Sequence, residues 1–104
     1  MWEFQAPNNS IVQLTIFYLE IEQGVDYIYI GEGDQGFDKE SQYWKKLTGT
    51  LTNQWIWKSY TSSIVIIFAS DGKGAAKGFW FECVSRKYIA NIISNDSIGI
   101  AIRK

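Results

Sequence analysis

The chain has 104 residues, 46% hydrophobic and 16% aromatic, with one proline and a formal net charge of −1. That length builds one core rather than two, the apolar content excludes a disordered chain, and the charge balance excludes the basic face of a nucleic-acid binder. No apolar run is long enough to span a bilayer, there is no histidine, and Cys83 is the single cysteine, which excludes His-dependent triads, intramolecular disulfides and multi-cysteine metal sites.

The predicted elements are nearly all strands. The opening WEFQAP reads as a strand ended by Pro7. In SIVQLTIFYLEIE, alternation places Val12, Leu14, Ile16 and Tyr18 on one face and Ile11, Phe17, Leu19 and Ile21 on the other, the pattern of a central strand. DYIYI follows after the short break QGV. DKESQYWKKL carries the one helical signal, a turn or two with Asp38 or Ser41 as N-cap. WIWKS is a short strand in which Trp55 and Trp57 share a face. SSIVIIFAS and GFWFECVS are strong strands, the second with Phe79, Phe81 and Cys83 on one side and Trp80 and Glu82 on the other. Turn clusters (PNNS, EQG, GEGDQGFDKES, SDGKGAAKG) separate them. The pattern predicts an all-β fold, an antiparallel β-sandwich spanning residues 1–85. A C-terminal extension, 86–104, holds two short strands about SNDS, or a strand that leads to a neighbouring domain.

Within DYIYIGEGDQGF lies G-x-G-x-x-G, the frame of a dinucleotide-binding loop. That loop needs a helix after its glycines and an acidic residue about 20 positions on. Here the frame encloses Glu32 and Asp34, both repelled by phosphate, and LTNQWIW stands where the later carboxylate belongs. The string is an acidic turn, not a phosphate cradle.

The same string resembles a strand and turn of CUB domains, D-Y-x-x-I-x-[DE]-G. Four further stretches resemble that family in the same order: FQAPNNSIVQLTIFYLEIE, LTG, TSS with IVIIFASD, and the spacing of SDGKGAAKGF. The resemblance covers Trp2 to Val84 and implies a jelly-roll-like sandwich that is extracellular, non-catalytic and a binding module. Two departures stand out. The family's opening segment has no counterpart, and the cysteines of its two usual disulfides are missing, Val25 lying close to where one belongs.

The resemblance also implies a calcium site at one end of the sandwich, with Glu22, Asp26 and Asp71 as carboxylate ligands; the loop chemistry adds a backbone carbonyl from Lys73 or Gly74. The residues agree with that chemistry. Glu22 and Asp26 flank a tight turn, Asp71 opens a glycine-rich loop, and calcium takes six to eight oxygens. Gly74 stands where the family often has Asn. In calcium-dependent relatives the same carboxylates capture a partner's Lys or Arg. The competing reading is three solvated loop carboxylates. A partner-binding surface is expected from Trp44, Trp55, Trp57 and Tyr43, with Tyr60 beside them, Trp44 being the exposed member; the alternative is that they cover a sheet face. Cys83 reads as a buried hydrophobe. Asn8 and Asn95 open N-x-[ST] glycosylation motifs in turns.

Together these readings describe an extracellular or cell-surface module, with no catalytic residues, that binds a protein or a glycan with calcium as the expected cofactor. The alternative is a structural subunit of a fibrous or repeated extracellular assembly, in which neighbouring copies meet through β-edges and aromatic side chains. No nucleic-acid partner and no membrane span are expected.

Overall fold

The computed structural model describes residues 1–70, 78–89, 92–94 and 99–103, and every regular element among them is a β-strand. In chain order these are β1 (Trp2–Gln5), β2 (Ser10–Glu20), β3 (Tyr27–Glu32), β4 (Lys45–Leu47), β5 (Thr50–Leu51), β6 (Trp55–Lys58), β7 (Ser63–Ala69), β8 (Gly78–Ile89), β9 (Ile92–Ser94) and β10 (Gly99–Arg103). Sheet A has the order β1-β7-β3-β4 and sheet B the order β10-β8-β2-β5, with β6 also on β2 and β9 on β8. All pairings are antiparallel. The predicted β-sandwich is therefore the fold. β9 and β10 both pair with β8, which runs through residue 85 without a break.

The inner faces make one core. Ile28, Ile30, Ile64 and Ile66 of sheet A meet Val12, Leu14, Ile16, Phe79 and Phe81 of sheet B, all at most 2% exposed. Trp2 crosses between the sheets, its ring edge-on to Phe79 at 5.6 Å and to Phe81 at 5.5 Å. Phe68 meets Phe79 at 5.1 Å. Each such pair adds about 0.5–1.5 kcal/mol beyond the area it buries, and a disulfide is worth about 2–5 kcal/mol in a small domain. This aromatic interlock is the right size to offset about one of the two missing disulfides.

β2 departs from strict alternation. Its register against β8 shifts between Ile16 and Tyr18, a β-bulge at Phe17. An extra residue in one strand flips every side chain beyond it to the other face. Val12, Leu14 and Ile16 point inward as expected, but after the bulge Leu19 and Ile21 are buried and Tyr18 turns out. Phe17 packs instead on Trp80 on the outer face, at 4.8 Å.

No helix forms between Asp38 and Leu47. Asp38 Oδ1 accepts the Glu40 N–H at 2.9 Å and Ser41 Oγ accepts the Tyr43 N–H at 3.2 Å. Side chains that bind their own backbone in this way hold turns and compete with helix. Both expected caps are turn residues instead.

Cys83 is fully buried within β8, and burial pushes its thiol up to about 12. The thiolate is the reactive form. The native chain is expected to leave Cys83 unlabelled by a thiol reagent at neutral pH and to react fully once denatured. Labelling of the folded chain at the rate of a free thiol would contradict this packing.

Candidate functional site

The turn between β2 and β3 is built from both ends. Backbone N–H groups of Val25 and Asp26 donate to the Glu22 carbonyl at 3.2 and 3.0 Å, closing a single α-turn. Asp26 Oδ2 reaches back to accept the Glu22 N–H at 3.2 Å. The turn is then fixed from outside by Thr48, between β4 and β5. Its hydroxyl donates to the Asp26 carbonyl at 2.6 Å, lies 3.3 Å from the Glu22 carbonyl, and accepts the Gly24 N–H at 3.0 Å. Gly49 follows with φ of 78°, a left-handed conformation open to glycine, and its carbonyl accepts the Ile21 N–H at 3.0 Å.

This arrangement brings two predicted residues, Glu22 and Asp26, to one place and buries them more deeply than a loop end suggests. Asp26 is 1% exposed. Its Oδ1, and Glu22 Oε2, are buried without a hydrogen-bond partner among the described residues. Buried carboxylate oxygens left bare are costly. The solvated-carboxylate alternative therefore fails for Asp26. β7 ends at the same edge, Ala69 pairing with Tyr27 next to Asp26. Asp71 and Lys73 lie outside the described residues, and so does Asn95. No cluster of three or more metal-ligating side chains occurs among the described residues.

A family model described as CUB domain matches residues 1–82. The chain belongs to the CUB family. CUB domains are generally non-catalytic protein-interaction modules found mostly in extracellular or secreted proteins, and no helix among the described residues of this CUB domain is long and apolar enough to cross a membrane. No curated protein and no solved structure matches the chain.

Thr48 was legible only as part of the string LTG, which marks a turn without revealing that its hydroxyl holds another one. It is a positioning residue for the Glu22–Asp26 turn. Thr48→Val keeps the shape and removes the hydrogen bonds. It is expected to cost about 1 kcal/mol, lowering the midpoint by about 4–8 °C, whereas Thr48→Ser keeps the wild-type midpoint in a thermal melt.

The aromatic residues separate. Trp44, expected to be exposed, is 6% exposed. Its indole lies flat against Gly31, where any Cβ would collide with the ring, and its Nε1–H donates to the Gly36 carbonyl at 3.1 Å. It forms a small outer core on sheet A with Phe37 at 5.1 Å, which meets Tyr29 at 5.1 Å, while Lys46 Nζ sits 4.4 Å from the Tyr27 ring centroid. Trp55 and Trp57 share a face of β6, as predicted, half-buried against the main core. Tyr43 and Tyr60 are 67% and 94% exposed. Asn8 is exposed in the turn before β2.

The G-x-G-x-x-G string leaves β3 into a turn with no helix after it. Glu32 faces backbone amides rather than a ligand: its carboxylate accepts the Tyr60 N–H at 2.7 Å, the Thr61 N–H at 3.3 Å and the Thr61 hydroxyl. It ties the turn before β7 to the end of β3.

Proposed function

We propose that this CUB domain is an extracellular protein-binding module whose contact end is organised by calcium, held by Glu22 and Asp26 with Asp71 from the loop after β7. The observation that supports it is the pair of buried, unpartnered oxygens, Asp26 Oδ1 and Glu22 Oε2, in a turn closed by Thr48. A hard cation takes oxygen ligands of this kind, with water and carbonyls completing six to eight. When bound, it supplies the positive charge that lets the carboxylates stand together. Asp26 Oδ2 is already taken by the Glu22 N–H, so pairing with a Lys or Arg side chain of the partner, a charge-assisted bond stronger than a neutral one, falls to Glu22 and Asp71.

The test is thermal unfolding in chelator and then in excess calcium, for the wild type and Asp71→Ala. A ligand that binds the native state alone stabilises it by about 2.7 kcal/mol at a hundred times Kd, or roughly 10–20 °C for a domain of this size. The rise is expected in the wild type and much reduced in the variant. No rise in the wild type overturns the calcium reading.

A further inference from the structure

At the far end of β3 from Asp26, a cleft of about 600 Å³ opens between the loop after β3, β6 and the turn before β7. We infer that this cleft binds neutral pyranose rings of an oligosaccharide. It is independent of the calcium end: β3 separates the two by six residues, roughly 20 Å of extended chain.

Its volume lies within the range of sites that enclose a small ligand, about 300–1,000 Å³. Three rings line it: Tyr43 and Tyr60, both largely exposed, and Trp57, half-buried. Exposed rings on loose chain make poor anchors, because ordering them opposes binding. Here the chain beneath them is already fixed, at Tyr43 by Ser41 Oγ and at Tyr60 by Glu32. Trp44, buried on Gly31 and bonded to Gly36, anchors the same loop from behind.

The polar groups decide the class of ligand. Four carboxylate and ammonium side chains line the cleft, Glu32 and Asp34 against Lys45 and Lys58, so their charges cancel. A polyanion would meet two carboxylates and a basic peptide two lysines. An extended peptide also needs backbone hydrogen bonds from its host, and the N–H groups of Gln35, Tyr43, Tyr60 and Thr61 are already taken. The loops also offer side-chain chemistry: the amides of Gln35 and Gln42 and the carboxylate of Asp34, which make no hydrogen bond to the described residues. Amides that both donate and accept, next to aromatic faces, match a ring with hydroxyls at its rim and C–H groups on its faces.

The experiment probes the wild-type protein against immobilised neutral gluco-, galacto-, manno- and N-acetylglucosamine oligosaccharides, with a heparin oligosaccharide as the charged comparison, in chelator and in calcium. At least one neutral series is expected to bind equally with and without calcium. Tyr43→Ala and Tyr60→Ala should each weaken it about threefold to tenfold without moving the melting midpoint, since both rings are exposed. Tyr43→Phe should retain it. The inference is overturned if no neutral oligosaccharide binds at saturating concentration, or if only heparin binds and is released by salt. It is also overturned if neutral binding survives the Tyr43→Ala/Tyr60→Ala double variant. Failure of the calcium response leaves these outcomes untouched, so the two sites are judged separately.

Discussion

Asp26→Asn is expected to abolish the calcium-induced rise in unfolding temperature while the metal-free protein keeps, or slightly gains, stability. The side chain does two things with its two oxygens. Oδ2 accepts the Glu22 N–H and closes the turn, and Oδ1 is buried with no partner among the described residues. An asparagine carbonyl can still accept from Glu22, so the turn survives. The charge goes, and with it both the cost of a bare buried carboxylate oxygen and the ligand a divalent cation requires. Asp26→Ala is the poorer probe, because it also strands the Glu22 N–H at a cost of about 1–3 kcal/mol. A different result would identify a different role. If Asp26→Asn in chelator fell by about 3–5 kcal/mol, the carboxylate would be half of a buried ion pair and the calcium assignment to Asp26 would be wrong. Thermal melts of both proteins, in chelator and in calcium, distinguish these outcomes.

The sandwich was legible because its strands carry period-two or continuous apolar patterns that no loop imitates. The register was less so. FYL at 17–19 is three apolar residues in a row, which fits either face assignment, and only pairing with β8 shows that Phe17 is the bulged residue. The neighbourhood of Glu22 and Asp26 could be read from a turn too short to separate them. Their burial could not, because it depends on Thr48, 22 residues further along from Asp26. The same non-locality misplaced Trp44. Between Tyr43 and two lysines it looks solvated, yet the partner that buries it is the absence of a side chain at Gly31. DKESQYWKKL is rich in helix formers, and its two polar turn residues outweighed them by satisfying nearby N–H groups themselves.

Trp44→Ala is expected to destabilise the domain by about 3–5 kcal/mol, the usual cost of emptying a buried aromatic site. The loss goes beyond area. Phe37 loses the ring it meets at 5.1 Å, and the Gly36 carbonyl loses the indole N–H that pins the loop. Gly31→Ala attacks the same contact from the other side: a methyl group there enters the space of the indole, and overpacking of this kind costs about 1–3 kcal/mol. The double variant tells whether the two losses are one contact. With the indole gone, the methyl group added at position 31 meets no ring, so Gly31→Ala/Trp44→Ala should be about as stable as Trp44→Ala alone, a coupling of about 1–3 kcal/mol between residues in direct contact. Denaturant unfolding of the four proteins closes the cycle. Additive losses would mean that the ring is not seated on Gly31. With coupling, this outer core also accounts for a rigid wall beside Tyr43, so Trp44→Ala should weaken oligosaccharide binding while leaving the calcium response in place.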